Sequence, residues 1–110
     1  MKITAGYDTI HVSDLRDFDE RQAEGLVHDL RLALRPPHSV IEFDLAHLRS
    51  ADCATVDALL AVYEGIDEAG AGLVWRLLNP SPDLRQLCEL VRLHHVFEIT
   101  PPRPPRMVLL

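Results

Sequence analysis

The stretch "FDLAHLRSADCATVDALLAVY", residues 43–63, passes from an alternating apolar pattern through a polar turn into a helical pattern. Its first residues complete "SVIEFDL", Ser39–Leu45, where Glu42 and Asp44 alternate with apolar residues, which is the period of a strand with one wetter face. From about Ala54 to Ala69 apolar residues recur every three or four positions, which predicts an amphipathic helix. The predicted buried stripe of this helix consists of Val56, Leu59, Leu60, Tyr63 and Ile66.

Strands and helices alternate on both sides of this stretch. Further strands are predicted at Lys2–Ala5, Thr9–Val12, Leu73–Asn79 and Val96–Ile99, and further helices at Asp19–Leu34 and Ser81–Leu93. This alternation favours an α/β fold in which at least part of the sheet is parallel. Because three helices are too few to cover both faces, we expect a mixed four- to five-stranded sheet with helices mainly on one face.

The length and the proline content define the domain organisation that we expect. A chain of 110 residues with 47% hydrophobic residues supports one compact core. The last residues, "TPPRPPRMVLL", contain four prolines, a composition typical of an extended arm. We therefore predict one domain over residues 1–100 and a proline-rich tail over residues 101–110.

The charge and hydropathy patterns exclude several classes of partner. The net charge is −6, and 11 Lys and Arg residues leave no basic surface from which to argue nucleic-acid binding. The acidic residues concentrate at Asp14–Gly25, where they are typical of a solvated helix start. No apolar run reaches the length that crosses a bilayer, and "MKITAGYDTI" lacks the apolar segment of a signal peptide. We expect a cytoplasmic protein without direct membrane insertion.

Cofactor and metal sites are not predicted. The strand-to-helix connection "AHLRSADCAT" contains no glycine, so the chain has no phosphate-binding loop of the nucleotide-binding type. The adjacent His94 and His95 would point about 100° apart on a helix and would not share one ion easily. Two cysteines without a closely spaced third make neither a zinc motif nor a disulfide framework.

The residues at the start of the second helix allow three interpretations. Asp52 is a preferred N-cap residue, so capping alone would explain it. The neighbouring Cys53 would lie at a helix N-terminus, where the dipole favours a thiolate, but the adjacent carboxylate opposes that charge and no base is assigned by spacing. A surface read by another protein is the third interpretation. Cys88 lies on the helical face of Leu84, Leu87 and Val91, which predicts a small core residue.

Two segments of the span from Val40 to Ile99 resemble the STAS domain of anti-sigma-factor antagonists. The family pattern "VxxDLSGVxFID" followed by "SSGLxxLL" resembles "VIEFDLAHLRSAD" followed by "CATVDALL" here. The pattern "LxNPSPxVRxxLELTGLxxLFEI" resembles "LLNPSPDLRQLCELVRLHHVFEI", residues 77–99. The second match is the more specific, because both its Asn-Pro-Ser-Pro start and its Phe-Glu-Ile end keep the family's spacing.

The resemblance implies a bacterial regulatory protein that recognises another protein and is not an enzyme. Family members bind an anti-sigma factor, commonly a serine kinase of the histidine-kinase-like ATPase fold, and so regulate transcription. That kinase inactivates them by phosphorylating the serine that follows the conserved aspartate. The partner-binding residues carried over to this chain are Asp52, Cys53, Ala54, Thr55 and Asp57.

The chain departs from the family pattern at functional and structural positions. Cys53 stands at the phosphoserine position, so the acceptor hydroxyl is absent, and Thr55 replaces a usual glycine. Asp14 and Arg92 stand in turns where the family often has glycine, which predicts an altered ending of the third helix at Arg92. Two alternatives to an antagonist stay open: a cytosolic STAS subunit of a lipid-transport ABC complex, and a thiol-based redox sensor acting through Cys53.

Overall fold

Five strands form one mixed sheet in the computed structural model, which describes residues 1–49, 52–67 and 72–100. The strands follow one another across the sheet in chain order, β1 and β2 being antiparallel and all later neighbours parallel. Their bounds are β1 Lys2–Ala5, β2 Thr9–Ser13, β3 Val40–Asp44, β4 Val74–Leu78 and β5 Phe97–Thr100. The predicted α/β class and mixed sheet are confirmed.

Three helices connect the parallel strands and cover one face of the sheet. They are α1 Glu20–Ala33, α2 Cys53–Asp67 and α3 Pro82–Leu90, and a single 3₁₀ turn, Leu93–His95, precedes β5. The predicted cap of α3 is confirmed, since the Ser81 Oγ accepts a hydrogen bond from the Leu84 amide at 3.2 Å. The predicted end of α2 at Ala69 and the proline-rich tail lie outside the described residues.

The register of the parallel strands separates apolar from charged side chains row by row. One row across β2 to β5 faces the helices and contains Ile10, Ile41, Trp75 and Phe97. The next row faces the other side and contains His11, Glu42, Arg76 and Glu98. The third row again faces the helices and contains Val12, Phe43, Leu77 and Ile99. Only the helix-covered face therefore contributes to the main core.

The buried face of helix α2 is broader than the single stripe that the sequence predicts. Val56, Leu59 and Ile66 are buried as predicted, whereas Leu60 and Tyr63 are half-buried and two unpredicted residues, Ala58 and Val62, are fully buried. The reason is that α2 packs both on the sheet and along α1. Tyr63 anchors it to the sheet through aromatic contacts, with ring centroids 5.4 Å from Trp75 and 5.9 Å from Phe97.

A close approach between α1 and α2 depends on a glycine. A Cβ added at Gly65 would lie 2.9 Å from both γ-methyl groups of Val27, closer than a real contact permits. At the same point Arg31 of α1 donates hydrogen bonds to the Gly65 carbonyl, at 2.6 Å from its Nη2 and 3.2 Å from its Nε. These bonds satisfy one of the carbonyls that a helix leaves unpaired near its C-terminus.

Two residues that replace family glycines keep a left-handed backbone. Asp14 has a φ of 57° and Arg92 a φ of 62°. Aspartate tolerates this region, whereas an arginine there costs about 1–2 kcal/mol. The predicted helix to Leu93 is therefore too long: α3 ends at Leu90, and the left-handed Arg92 redirects the chain into the 3₁₀ turn.

Replacing the two helical glycines with alanine is expected to have opposite effects on stability. Gly65→Ala gains about 1 kcal/mol of helix propensity but forces Val27, which is stiff at χ1, to move, so we expect a net loss of about 1 kcal/mol or more. Gly25→Ala on α1 meets no atom within 4 Å and is expected to gain about 0.5–1 kcal/mol. Urea unfolding of the two variants measures both changes, and a stabilising Gly65→Ala would contradict the close contact.

Candidate functional site

The connection from β3 to α2 begins at the carboxyl edge of the sheet and ends at the first residue of α2. Asp44 turns the chain at this point, since its Oδ1 accepts a hydrogen bond from the Ala46 amide at 3.1 Å. The Leu45 amide donates to the Leu78 carbonyl of β4 at 2.8 Å, and the Leu45 side chain is buried. The family residues Asp44 and Leu45 thus fix the direction in which the chain leaves the sheet.

Asp52 caps α2 through Thr55. Its Oδ1 accepts hydrogen bonds from the Thr55 amide at 3.1 Å and from the Thr55 Oγ1 at 3.3 Å. The predicted role of Asp52 as an N-cap is confirmed, and the threonine hydroxyl adds a second bond to the same oxygen. Such a cap contributes about 1 kcal/mol to helix stability and holds the helix start in one geometry.

The five predicted partner-binding residues fall into two groups at this helix start. Asp52, Cys53, Ala54 and Asp57 are exposed, whereas Thr55 is only 1% exposed. Thr55 therefore lies beneath the surface and supports Asp52, and the other four present a short acidic patch with one thiol. We call the four exposed residues, Asp52, Cys53, Ala54 and Asp57, the α2 tip.

The two cysteines have different environments. Cys53 is exposed as the first residue of α2, and Cys88 is buried in the core, as predicted. Burial, together with the nearby charge of Glu89, raises the pKa of the Cys88 thiol to about 11. Only Cys53 is placed to react with a molecule from solution. In the described part of the chain, no hydrogen bond joins it to a histidine or another base, so the arrangement does not resemble an activated nucleophile.

A cleft beside the α2 tip gathers basic residues that the sequence analysis did not combine. Asp14 and Arg16 follow β2, His47 and Arg49 follow β3, and these four residues line a cleft of about 260 Å³. The Arg49 amide donates to the Arg16 carbonyl at 2.7 Å, which joins the two loops. His47 is exposed in the turn after β3. We call this group, Asp14, Arg16, His47 and Arg49, the basic cleft.

The helix-free face of the sheet carries a row of compensated charges. Glu42 lies at its centre, with one carboxylate oxygen 3.0 Å from the His11 Nδ1 and the other 3.3 Å from an Arg76 Nη1. The Nε of Arg76 lies 3.6 Å from a Glu98 carboxylate oxygen. We call these four residues, His11, Glu42, Arg76 and Glu98, the charged row. Arg76 thus has an acidic residue on each neighbouring strand, and the His11 ring shares a hydrogen bond with Glu42.

Within residues 1–49, 52–67 and 72–100, no group of three or more His, Cys, Asp or Glu side chains could hold a metal ion. In the same part of the chain, no helix is long and apolar enough to cross a membrane.

Comparisons with known proteins place the fold. A family model described as "Mlab, STAS domain" matches residues 8–101. A solved structure of the anti-sigma factor antagonist SpoIIAA in its unphosphorylated form matches with a TM-score of 0.66 and 21% identity, over 90% of this chain and 86% of that one. No curated protein matches. At this identity the likeness to SpoIIAA concerns the fold.

We expect the two thiols to differ sharply in alkylation by iodoacetamide at pH 8. Cys53 should react readily, whereas Cys88 is buried and, with a pKa of about 11, has about one thiolate in a thousand molecules at that pH. Intact-mass measurement should show one label on the folded protein and two in denaturant. A Cys53→Ser control should take none until it unfolds, and two labels added at similar rates to the folded protein would contradict the assigned environments.

Proposed function

The chain belongs to the STAS domain family, and we propose that it is a non-catalytic regulatory module that binds another protein through the α2 tip. The observation that carries this proposal is the cap of α2. It holds an exposed helix start in one geometry at the edge of the sheet, with Thr55 buried beneath it.

The α2 tip offers a partner three kinds of contact. The first amides of a helix have no acceptor within the helix, so those of Cys53 and Ala54 can donate to a partner. Asp52 and Asp57 add negative charge, which would favour a cationic group on the partner. Cys53 and Ala54 have small side chains, so the partner's backbone can approach closely.

The partner that we propose is an anti-sigma factor, a serine kinase of the histidine-kinase-like ATPase fold, in a bacterial cytoplasm. The family resemblance supports this choice, and SpoIIAA, whose fold this chain shares, is described as an anti-sigma factor antagonist. Binding of such a partner would release the sigma factor that it holds and thereby regulate transcription.

Cys53 would change how this binding is controlled. A phosphate on the residue after Asp52 would add nearly two negative charges at the docking surface and weaken contact. A thiol is not a normal acceptor for a serine kinase, so we propose that the protein stays competent to bind where a serine-containing relative would be switched off.

Two functions are alternatives to an anti-sigma-factor antagonist. The matched family model carries the name Mlab instead of an antagonist's, and an acceptor hydroxyl is missing. The missing hydroxyl favours the second candidate, a STAS subunit of a lipid-transport ABC complex, if such a subunit works without a phosphorylation switch. The thiol sensor has the exposure of Cys53 in its favour, but the chain's other cysteine is buried and is not placed to resolve an oxidised Cys53.

Reversing the charge of Asp57 is expected to weaken partner binding. The native protein is first recovered from its own cells with the protein that accompanies it, and the purified pair is then measured by calorimetry. Asp57→Arg should reduce affinity at least about tenfold, because it places a cation where the tip would meet a cationic group. Glu64→Arg is the matched control, since Glu64 is exposed on the same helix about two turns away.

Equal affinities for wild type, Asp57→Arg and Glu64→Arg would contradict docking through the α2 tip. The identity of the recovered protein separates the candidates: a kinase-like anti-sigma factor supports the antagonist, and an ATPase transporter subunit supports the second candidate.

Restoring the acceptor hydroxyl is expected to restore phosphorylation if the partner is a serine kinase. Cys53→Ser changes little in size at an exposed position and should gain the mass of one phosphate when incubated with the purified partner and ATP. Wild type and the control Cys53→Ala should gain none. Phosphate on the wild-type protein would overturn the proposed loss of the switch.

A further inference from the structure

Two groups of charged side chains lie near the surface, and they differ in whether their charges are compensated. In the charged row every cation has an acidic neighbour across the strands. In the basic cleft Asp14 pairs with the Arg16 Nε at 3.3 Å. For His47 and Arg49, in contrast, the described residues provide no carboxylate within ion-pair distance. Within the basic cleft, Arg49 is therefore a cation that no carboxylate of the described residues compensates.

The shape of the basic cleft is held by the backbone. The loops after β2 and β3 meet at the carboxyl edge of the sheet, and the 2.7 Å bond from the Arg49 amide to the Arg16 carbonyl fixes their separation. Asp14 holds its left-handed turn beside them. The side chains of Arg16 and Asp14 are 62% and 52% exposed, so the cleft opens to solvent and a ligand can enter without rearrangement of the core.

The acidic neighbours limit where an anion can bind. Asp14 and Asp17 line an adjoining hollow together with Arg16, so that side of the cleft repels anions. Arg49 and His47 belong to the other loop, the one that follows β3, and do not line that hollow. Both arginines of the cleft can donate paired N–H groups to the two oxygens of a carboxylate.

We propose that the basic cleft binds a carboxylate side chain from an acidic segment of the protein that docks on the α2 tip. This inference rests on the proposed function and specifies the partner's chemistry. Arg49 precedes Asp52 by three residues, so their Cα atoms lie no more than about 11 Å apart. A standard interface buries about 800 Å² on each partner, which is enough to cover the basic cleft and the α2 tip together.

The two surfaces would then fix the orientation of the partner. The α2 tip carries two carboxylates, and the basic cleft carries the guanidinium groups of Arg16 and Arg49. A partner must present a basic group to the α2 tip and an acidic group to the basic cleft. A partner docked in the reversed orientation would meet like charges at both surfaces.

Titration with hexaglutamate tests the basic cleft without the native partner. In two-dimensional NMR of the ¹⁵N-labelled full chain at low salt, hexaglutamate should shift the amide signals of Arg16, His47 and Arg49, and hexalysine should not. The affinity should fall at least about fivefold in Arg16→Ala/Arg49→Ala and stay unchanged in Arg35→Ala. Arg35 is a suitable control because it is exposed beyond the carboxyl end of α1, away from this edge. Well-dispersed spectra of both variants would show that they are folded.

Three results would overturn the proposal. The first is that hexaglutamate causes no shifts, and the second is that the shifts persist in the double variant. The third is that inorganic phosphate shifts the same signals with equal or higher affinity, which would identify a site for small free anions. These readouts do not involve the partner. Hexaglutamate could therefore bind the basic cleft as predicted even if Asp57→Arg left the partner's affinity unchanged. That combination of results would contradict the proposed function but not the proposed carboxylate site.

Discussion

The register of the parallel strands is the constraint on which the rest of the structure depends. Rows across β2 to β5 alternate between apolar side chains and polar or charged ones. A slip of one residue would therefore bury His11 in β2, or a charged side chain in the other three strands, and expose part of the core. The row with Glu42 and Arg76 lies on the helix-free face. The two apolar rows on either side of it form the surface on which the helices pack. Incorrect registers are unfavourable because they would bury the charged row. The native fold is stabilised because the side chains of the apolar rows are buried.

This register also determines where the surface features lie. Because β2 and β3 are parallel, the loops that follow them leave the same edge of the sheet, and the basic cleft and the α2 tip are brought together there. Helix α2 is fixed at one side by Tyr63 against Trp75 and at the other by the contact of Gly65 with Val27. The position of its first turn is consequently a property of the core, while the side chains of that turn remain available to a partner.

The sequence predicted most of the fold because the local signals agree with the tertiary packing. Alternation in Ser39–Leu45 and the cap at Ser81 are each decided by neighbouring residues. The burial of Ala58 and Val62 was missed because α2 also packs along α1, which is distant in sequence. The two residues share a helical face with Gly65, which approaches Val27 of α1. The end of α3 was placed too late because apolar residues continue at helical spacing to Leu93. The altered ending predicted at Arg92 is present, since its backbone is left-handed.

The helix start that carries the α2 tip was predictable, whereas the burial of Thr55 and the basic cleft were not. Asp52 and Cys53 stand at a helix start that the pattern identified, yet Thr55 was grouped with exposed residues because a hydroxyl near a cap gives no sign of which way it points. Arg16 and Arg49 come together only through the pairing of β2 with β3, and the acidic segment around Arg16 concealed its role. Charge patterns within one segment do not reveal a cleft formed by two loops.

We propose that a partner protein covers the edge of the sheet that carries the α2 tip and leaves the helix-free face open. Hydroxyl-radical footprinting of the complex recovered from its own cells tests it most directly, because it reports the exposure of individual side chains. We predict that binding protects Cys53 and His47 from oxidation and leaves His11 as reactive as in the free protein. Protection of His11, with Cys53 oxidised as fast as before, would contradict the account.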